Sequence, residues 1–383
     1  MKGERSRTAR DRERVLPSVC VVGPLPPPSG GMAVQCEELV RLLRQDGVDV
    51  ELVRNNAPCV PAWVGRIPIL RAGFRLIPYL MRLWRAAGRR DLMHVLANSG
   101  WGWHLFAAPA VWVARLRDRP VIVHYHGGNA EAFFSRAPSH VLASLRMAHA
   151  RVTPSAFLAR AFEKFGLDVT IVPNIIDLDR FQINPSRSFG DAPHLIVTRN
   201  LEPIYDIATA IRAFAIVRHT FPAARLTVAG SGPDLERLQE LVAEAGLQDC
   251  VAFPGRIDNV HIPALYASAD CMLNPSTVDN MPISILEALA CGVPVVSTNA
   301  GGIPDIVESG KSAMLVDVGD AESMAANAVH VLGDLRMREQ MRAEGVRIVS
   351  SYAWPNVRNR WLELYQGLAS HFAGSRATER LDA

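Results

Sequence analysis

Hydrophobic and polar positions along the 383 residues switch repeatedly between two periods. Short β-branched runs read as strands: SVCVVG (18–23), VDVELV (48–53), LMHVLA (92–97), VIVHY (121–125) and HLIVT (194–198). ARLTVAG (224–230), CVAFPG (250–255), CMLN (271–274) and VPVVST (293–298) read the same way. Between most of them apolar residues recur at helical spacing, as in Leu39, Leu42 and Leu43 or in Leu235, Leu238, Leu241 and Val242. Strands separated by helices predict βαβ units and parallel sheets. The alternation occurs twice, with a break at INPSRSFGDAP (183–193), where Pro, Gly, Ser and Asp gather. The predicted fold class is α/β, two Rossmann-like doubly wound domains, 15–190 and 191–350, with a cleft between them.

The remaining segments refine this picture. Residues 1–14 hold only Met1 and Ala9 as apolar positions and are expected to form a disordered basic arm. Trp101 to Ala114 is the most tempting apolar stretch, but at 14 residues with His104 and Pro109 it is too short to cross a bilayer and reads as a buried helix. No stretch reads as a secretory signal. The six cysteines, at 20, 36, 59, 250, 271 and 291, show neither metal-ligand spacing nor a disulfide framework. A reducing cytoplasm and no metal site are the expectations.

The net charge of +3 conceals a division. Residues 1–190 carry 26 Lys and Arg against 15 Asp and Glu, net +11, whereas 191–383 carry 15 against 23, net −8. The densest basic stretch is Arg66 to Arg90. There Arg71, Arg75, Arg82, Arg85 and Arg89 share one side of a helical projection, opposite Leu70, Leu76, Ile77, Leu80, Leu83 and Trp84. Pro68 marks the helix start and Pro78 is expected to interrupt it. Two readings stand: a core helix with a solvated arginine face, or a helix whose basic side meets an anionic membrane and lipid-diphosphate acceptors. Nucleic acid is not an expected partner, because no binding motif accompanies the charge.

The segment DNMPISILEALACGVP (279–294) carries the most chemistry. Pro282 suits a first helical turn, and Gly292 and Pro294 stop the helix. Ser284 and Glu287 share a face near the positive end, so an anion could rest on the amides from Met281 to Ser284 with a carboxylate close by. With the GVPVVST strand and AGGIPD (300–305) behind it, this segment resembles the nucleotide-sugar signature of GT-B retaining glycosyltransferases of the large family-four group. Other landmarks follow in family order: PPPSGGM (26–32), HYHGG (124–128), VTPS (152–155), VPNIID (172–177), Arg199, GSGP (230–233) and FPGRI (253–257).

The resemblance implies a C-terminal domain that binds a nucleotide diphosphate sugar and an N-terminal domain that binds the acceptor. Helices around 351–370 would return to the N-terminal domain. In that pattern Glu287 takes the ribose hydroxyls, Asp279 the donor sugar, and Arg199 the diphosphate. Arg256 and Ile257 lie against the base. Gly30 and Gly31 come close to phosphate and sugar, Gly230 and Gly232 border the donor with Met281, Pro282, Ile283 and Ser284, and His126 borders the reaction centre. His124 is the competing histidine; the Gly127-Gly128 pair after His126 favours the latter. No metal or other cofactor is expected, since a guanidinium and helix amides can stabilise a departing diphosphate.

Two positions depart from the pattern. Asp279 stands where the family's first Glu is expected, and no Lys follows Arg199, where the chain reads RNLEPIYD (199–206). Either Tyr205 donates a hydrogen bond in its place, or another cation reaches in, or the donor site is weakened. The expected activity is transfer to a glycan or lipid-linked acceptor in bacterial surface-glycan synthesis, in the cytoplasm and at the inner face of its membrane. A sugar-nucleotide epimerase and a non-catalytic nucleotide-sugar binding partner are the alternatives. A dehydrogenase is disfavoured because no Gly-x-Gly-x-x-Gly follows the first strand.

Overall fold

Strands that read as unbroken apolar runs need cover on both faces, and they have it. The computed structural model describes residues 16–27, 30–57, 68–184 and 192–381, without the side chains of 68–73 and 375–381. In it β1 (Val19–Gly23), β3 (Leu92–Ala97) and β4 (Val121–Tyr125) are buried at every position. With β2 (Val50–Arg54), β5 (Ala150–Thr153) and β6 (Thr170–Ile171) they form a parallel sheet in the order β2-β1-β3-β4-β5-β6. The register sets Val19 beside both Val50 and Leu92.

The second sheet contains β7 (His194–Val197), β8 (Arg225–Ala229), β9 (Val251–Gly255), β10 (Cys271–Asn274), β11 (Val295–Thr298) and β12 (Met314–Val316). It is also parallel, ordered β12-β11-β10-β7-β8-β9. All nine runs read as strands are strands. The three that went unread, β5, β6 and β12, have four, two and three residues, too few to show a period.

Both sheets reverse direction once, between β1 and β3 and between β7 and β10. Such switch points open crevices at the carboxyl ends of the strands, and the loops leaving these four strands form the cleft between the two Rossmann-like domains. The C-terminal helix Trp354–Leu381 buries Val357, Trp361 and Tyr365 against the first sheet, and Ile176 bridges to Ala353 at its start.

Three expectations are corrected here. Pro78 does not interrupt its helix, which runs unbroken from Pro68 to Arg89. Pro78 and Phe74, the residue whose carbonyl loses its partner, are both exposed, so water can take the place of the missing amide. Nor do the apolar residues all face inward. Leu83 is buried and Leu76 and Leu80 are partly so, but Ile77 is 62% and Trp84 46% exposed. Likewise Trp101 to Ala114 is not a single buried helix. Trp103, Ala110 and Val111 are buried in a π-turn (Trp103–Ala107) and the helix Ala108–Leu116, while Trp101 is 77% exposed. The arm at 1–14, Arg66, and the side chains of Leu70 and Arg71 lie outside the described residues.

Candidate functional site

The two switch points face each other across a cavity of about 610 Å³. One wall is built by the loops after β7 and β10. Gly230, after β8, has no room for a side chain: a Cβ there would lie 1.9 Å from the Arg199 carbonyl oxygen. Gly232 is similarly placed, 2.1 Å from the Leu201 carbonyl oxygen. The pair thus lets the β8 loop close onto the turn that carries Arg199, where the Leu201 amide donates to Ser231 O at 3.1 Å. Gly230 also lines the cavity; Gly232 does not, and its place is structural.

Arg199 is gripped from several sides. It forms an ion pair with Asp279, donates to Ser284 Oγ at 3.3 Å and to Ser276 Oγ at 3.5 Å, and lies over the Tyr205 ring at 4.3 Å. Its Nε is buried without a partner. Burial lowers its pKa and Tyr205 opposes that, but a guanidinium stays a cation throughout the physiological range. Asp279 is fixed in turn, accepting from the Asn280 amide at 2.9 Å. The Ile283–Ala290 helix begins beside this pair, with Pro282 as its N-cap and Gly292 (φ +66°) beyond its end. Its first turn lines the cavity.

Glu287, one turn further, accepts from Tyr266 Oη at 2.9 Å, while Tyr266 shares a 2.8 Å hydrogen bond with Thr198 Oγ1. Burial pushes the Glu287 carboxyl up to about 7, against the pull of Tyr266, Arg180 and Arg199. This carboxylate can therefore gain or lose a proton near neutrality, and a hydrogen-bond donor from a ligand would favour the ionised form.

The opposite wall comes from the loops after β1, β3 and β4. Gly30 caps the Gly31–Gln45 helix, and Gly31 approaches Ile283 across the cleft. His126 lines the cavity with its Nε2 buried and unpartnered. Its ring packs 4.1 Å from that of His124, which contacts His94 (Nδ1 to Nε2, 3.2 Å); His94 Nδ1 meets Tyr365 Oη at 2.7 Å. Burial holds His126 near 4, a neutral imidazole. His124 is buried in the sheet and does not line the cavity. Asn280 joins the walls, bonded to Ser155 Oγ and donating to His126 O at 3.5 Å.

Apart from Gly232, every site residue expected from the sequence lines this one cavity, including Tyr205, Arg256 and Ile257. Sequence reasoning missed Tyr266, Ser276, Asn280 and the Asn98–Gly100 loop. Asn280 was adjacent to a residue already singled out. Tyr266 gave no signal, because its short helix (Ile262–Ala267) only reaches Glu287 through the fold. Among the described residues no group of three or more His, Cys, Asp or Glu is placed to hold a metal ion. No helix among them is long and apolar enough to cross a membrane.

Comparison with known proteins agrees with this architecture. The Glycosyltransferase Family 4 model matches residues 29–180 and the Glycosyl transferases group 1 model matches 179–347. A GDP-mannose-dependent phosphatidylinositol monomannoside mannosyltransferase from Mycolicibacterium smegmatis is 28% identical over 91% of this chain and 97% of its own. A glycogen synthase from Mycobacterium tuberculosis is 28% identical over 78% of this chain and 73% of its own. Among solved structures, HepE from Anabaena, crystallised with UDP, superposes with a TM-score of 0.71 at 18% identity, covering 92% of this chain and all of that one. Sucrose-phosphate synthase from Thermosynechococcus elongatus gives 0.74 at 18% identity over the same shares. The protein is a GT-B-fold glycosyltransferase related to the family-four type.

Proposed function

We propose that the protein is a retaining glycosyltransferase that moves a sugar from a nucleotide diphosphate sugar to an acceptor hydroxyl, in bacterial surface-glycan synthesis. The observation that carries this reading is Arg199, a buried cation at the β7/β10 switch point, facing the cleft beside a helix N-terminus with Glu287 one turn on. A diphosphate placed there meets a guanidinium and helix amides, the groups a leaving diphosphate needs. Glu287 would take the ribose hydroxyls, Arg256 and Ile257 the base, and Asp279 the donor sugar. Tyr205, stacked on Arg199, does part of the work of the missing Lys by holding the guanidinium in place.

In the reaction the bond from the anomeric carbon to the diphosphate oxygen breaks. The acceptor oxygen bonds to the same carbon on the same face, and the acceptor proton passes to the departing phosphate. His126, neutral and beside the cleft, would contact the sugar. This division assigns the donor to 191–350 and the acceptor to 15–190, with 351–370 completing the latter. No metal is needed for it.

A lipid-linked acceptor fits the outer surface. On a helical projection Phe74, Ile77, Met81 and Trp84, all exposed, fall within about 80°, and Arg82, Arg85 and Arg89 follow in the next ~60°. Arg75 and Arg89 are engaged by Asn55 O and Glu51, while Arg82 and Arg85 stand exposed beside the apolar strip. That pairing suits a helix lying on an anionic bilayer at its cytoplasmic face. The mannosyltransferase relative is named for a phosphatidylinositol acceptor, which supports a lipid-linked one here.

Incubation with a panel of UDP-, GDP- and ADP-sugars, with and without lipid extract, tests the proposal. Nucleoside diphosphate release only with extract is expected. Product without acceptor would indicate epimerisation or hydrolysis, and binding without product a scaffold.

A further inference from the structure

The cleft is divided by charge. Its charged lining residues, Arg199, Arg256, Asp279 and Glu287, all belong to the C-terminal wall. The N-terminal wall, among the described residues, presents only Gly, Asn, Ser, His, Met and Val. Yet residues 1–190 hold 26 of the 41 basic side chains, so composition does not explain a neutral wall. The described basic residues of that domain lie elsewhere on it.

Trp101, 77% exposed, directly follows Asn98, Ser99 and Gly100, which line this wall of the cavity. The indole has an aromatic neighbour: its ring centroid lies 6.2 Å from that of His104 in a T-shaped pair, and the His104 centroid lies 6.1 Å from that of Phe133 and 5.4 Å from that of His140. The loop before it is braced: Asn98 Oδ1 accepts from the Ser99 amide at 2.8 Å, and Ser99 Oγ shares a 2.7 Å bond with the buried Tyr125 Oη. A large aromatic side chain exposed to water beside the polar, uncharged N-terminal wall of the cleft is a platform without an occupant among the described residues.

Resting on the transfer reading above, we propose that the acceptor enters the cleft as a neutral sugar ring, its C–H face on Trp101 and its hydroxyls against the amides of Asn98 and Asn129. A pyranose offers both surfaces at once. A phosphate or carboxylate in the same place would be buried against a wall that, among the described residues, offers no cation to pair it, at a cost neutral hydroxyls do not incur. A phosphate of a lipid-linked acceptor therefore stays outside the cleft, and only the terminal sugar reaches the anomeric carbon.

The test uses the full chain with methyl α-D-gluco-, galacto- and mannopyranosides and their 6-phosphates. Saturation-transfer NMR in the presence of UDP or GDP reads binding, and calorimetry reads the nucleotide alone. At least one neutral pyranoside should bind, with its 6-phosphate about tenfold weaker. Trp101→Ala should weaken the neutral ring about tenfold, Trp101→Phe should recover most of it, and nucleotide affinity should not change. Because residue 101 is exposed, both variants should fold. Equal or tighter binding of the phosphates, no binding of any neutral ring, or unaltered ring binding in Trp101→Ala would overturn the inference. So would a Trp101 that responds only to phosphatidylglycerol vesicles. If neither nucleotide binds the native protein, the transfer reading fails instead.

Discussion

Glu287→Gln is the substitution whose consequences follow most fully from the structure. Burial pushes the carboxyl from its ordinary 4.5 up to about 7. Below pH 4.5 the group is protonated folded or unfolded and has no effect. Between 4.5 and 7 the unfolded chain releases a proton that the folded chain keeps, so stability falls as pH rises through that window and levels off above it. The full displacement corresponds to at most about 3 kcal/mol; because the side chain borders an open cleft, about 1–2 kcal/mol is the realistic share. The Gln variant lacks this loss. Its melting temperature should overtake the native protein's by about 2–6 °C between pH 5 and pH 8, measured by scanning fluorimetry.

Nucleotide should reverse that advantage. If ribose hydroxyls donate to the ionised carboxylate, binding draws its pKa down. Native affinity for a nucleotide sugar should then rise by up to about tenfold per pH unit below 7 and flatten above. The variant should bind weakly with little pH dependence, and the difference between the two removes any titration of the ligand itself. Parallel melting profiles from pH 5 to 8, or identical pH dependence of binding, would refute both the burial argument and the assignment of Glu287.

Other outcomes follow from neighbouring contacts. Arg199→Ala should lower kcat by about 10²–10³ with the fold intact by circular dichroism, and Arg199→Lys should restore only part, since one ammonium cannot span Asp279 and Ser284 at once. Tyr205→Phe should stay close to native turnover while Tyr205→Ala loses about 3- to 30-fold, as loss of a stacked cation predicts. Gly230→Ala would drive a methyl into the Arg199 carbonyl and should cost about 1–3 kcal/mol in denaturant unfolding, whereas Gly31→Ala, 3.5 Å from Ile283, should leave the midpoint unchanged. Tyr365→Phe removes one of the two buried partners of His94, leaving its Nδ1 unpaired, and should destabilise by about 1–3 kcal/mol without altering nucleotide affinity. Turnover should survive EDTA; activity lost to chelation and restored by magnesium would count against a metal-free mechanism.

How far the sequence reached depended on the length of the signal. Strands such as LMHVLA announce themselves because both faces are covered, whereas Thr170–Ile171 could be placed only by its pairing with β5. The cavity residues were legible where they follow strands, since loops at carboxyl ends converge in a doubly wound fold. Gly232 falls outside the cavity lining, and a glycine after a strand reads alike whether it faces a ligand or a neighbouring carbonyl. The helix of Arg82 and Arg85 was read as two-sided. It has three sides, since Ile77 and Trp84 lie past the edge of the buried stripe, and only the position of the neighbouring helix decides where that edge falls. Tyr266 belongs to Glu287 through tertiary geometry alone.

Sugar transfer driven by a diphosphate leaving group at Arg199 can be followed most directly by NMR on the anomeric proton of the donor sugar, with and without acceptor. This proton should move into the product with the donor's configuration only when acceptor is present, and not in Arg199→Ala. Inversion at that carbon, or donor consumed equally without acceptor, would contradict it.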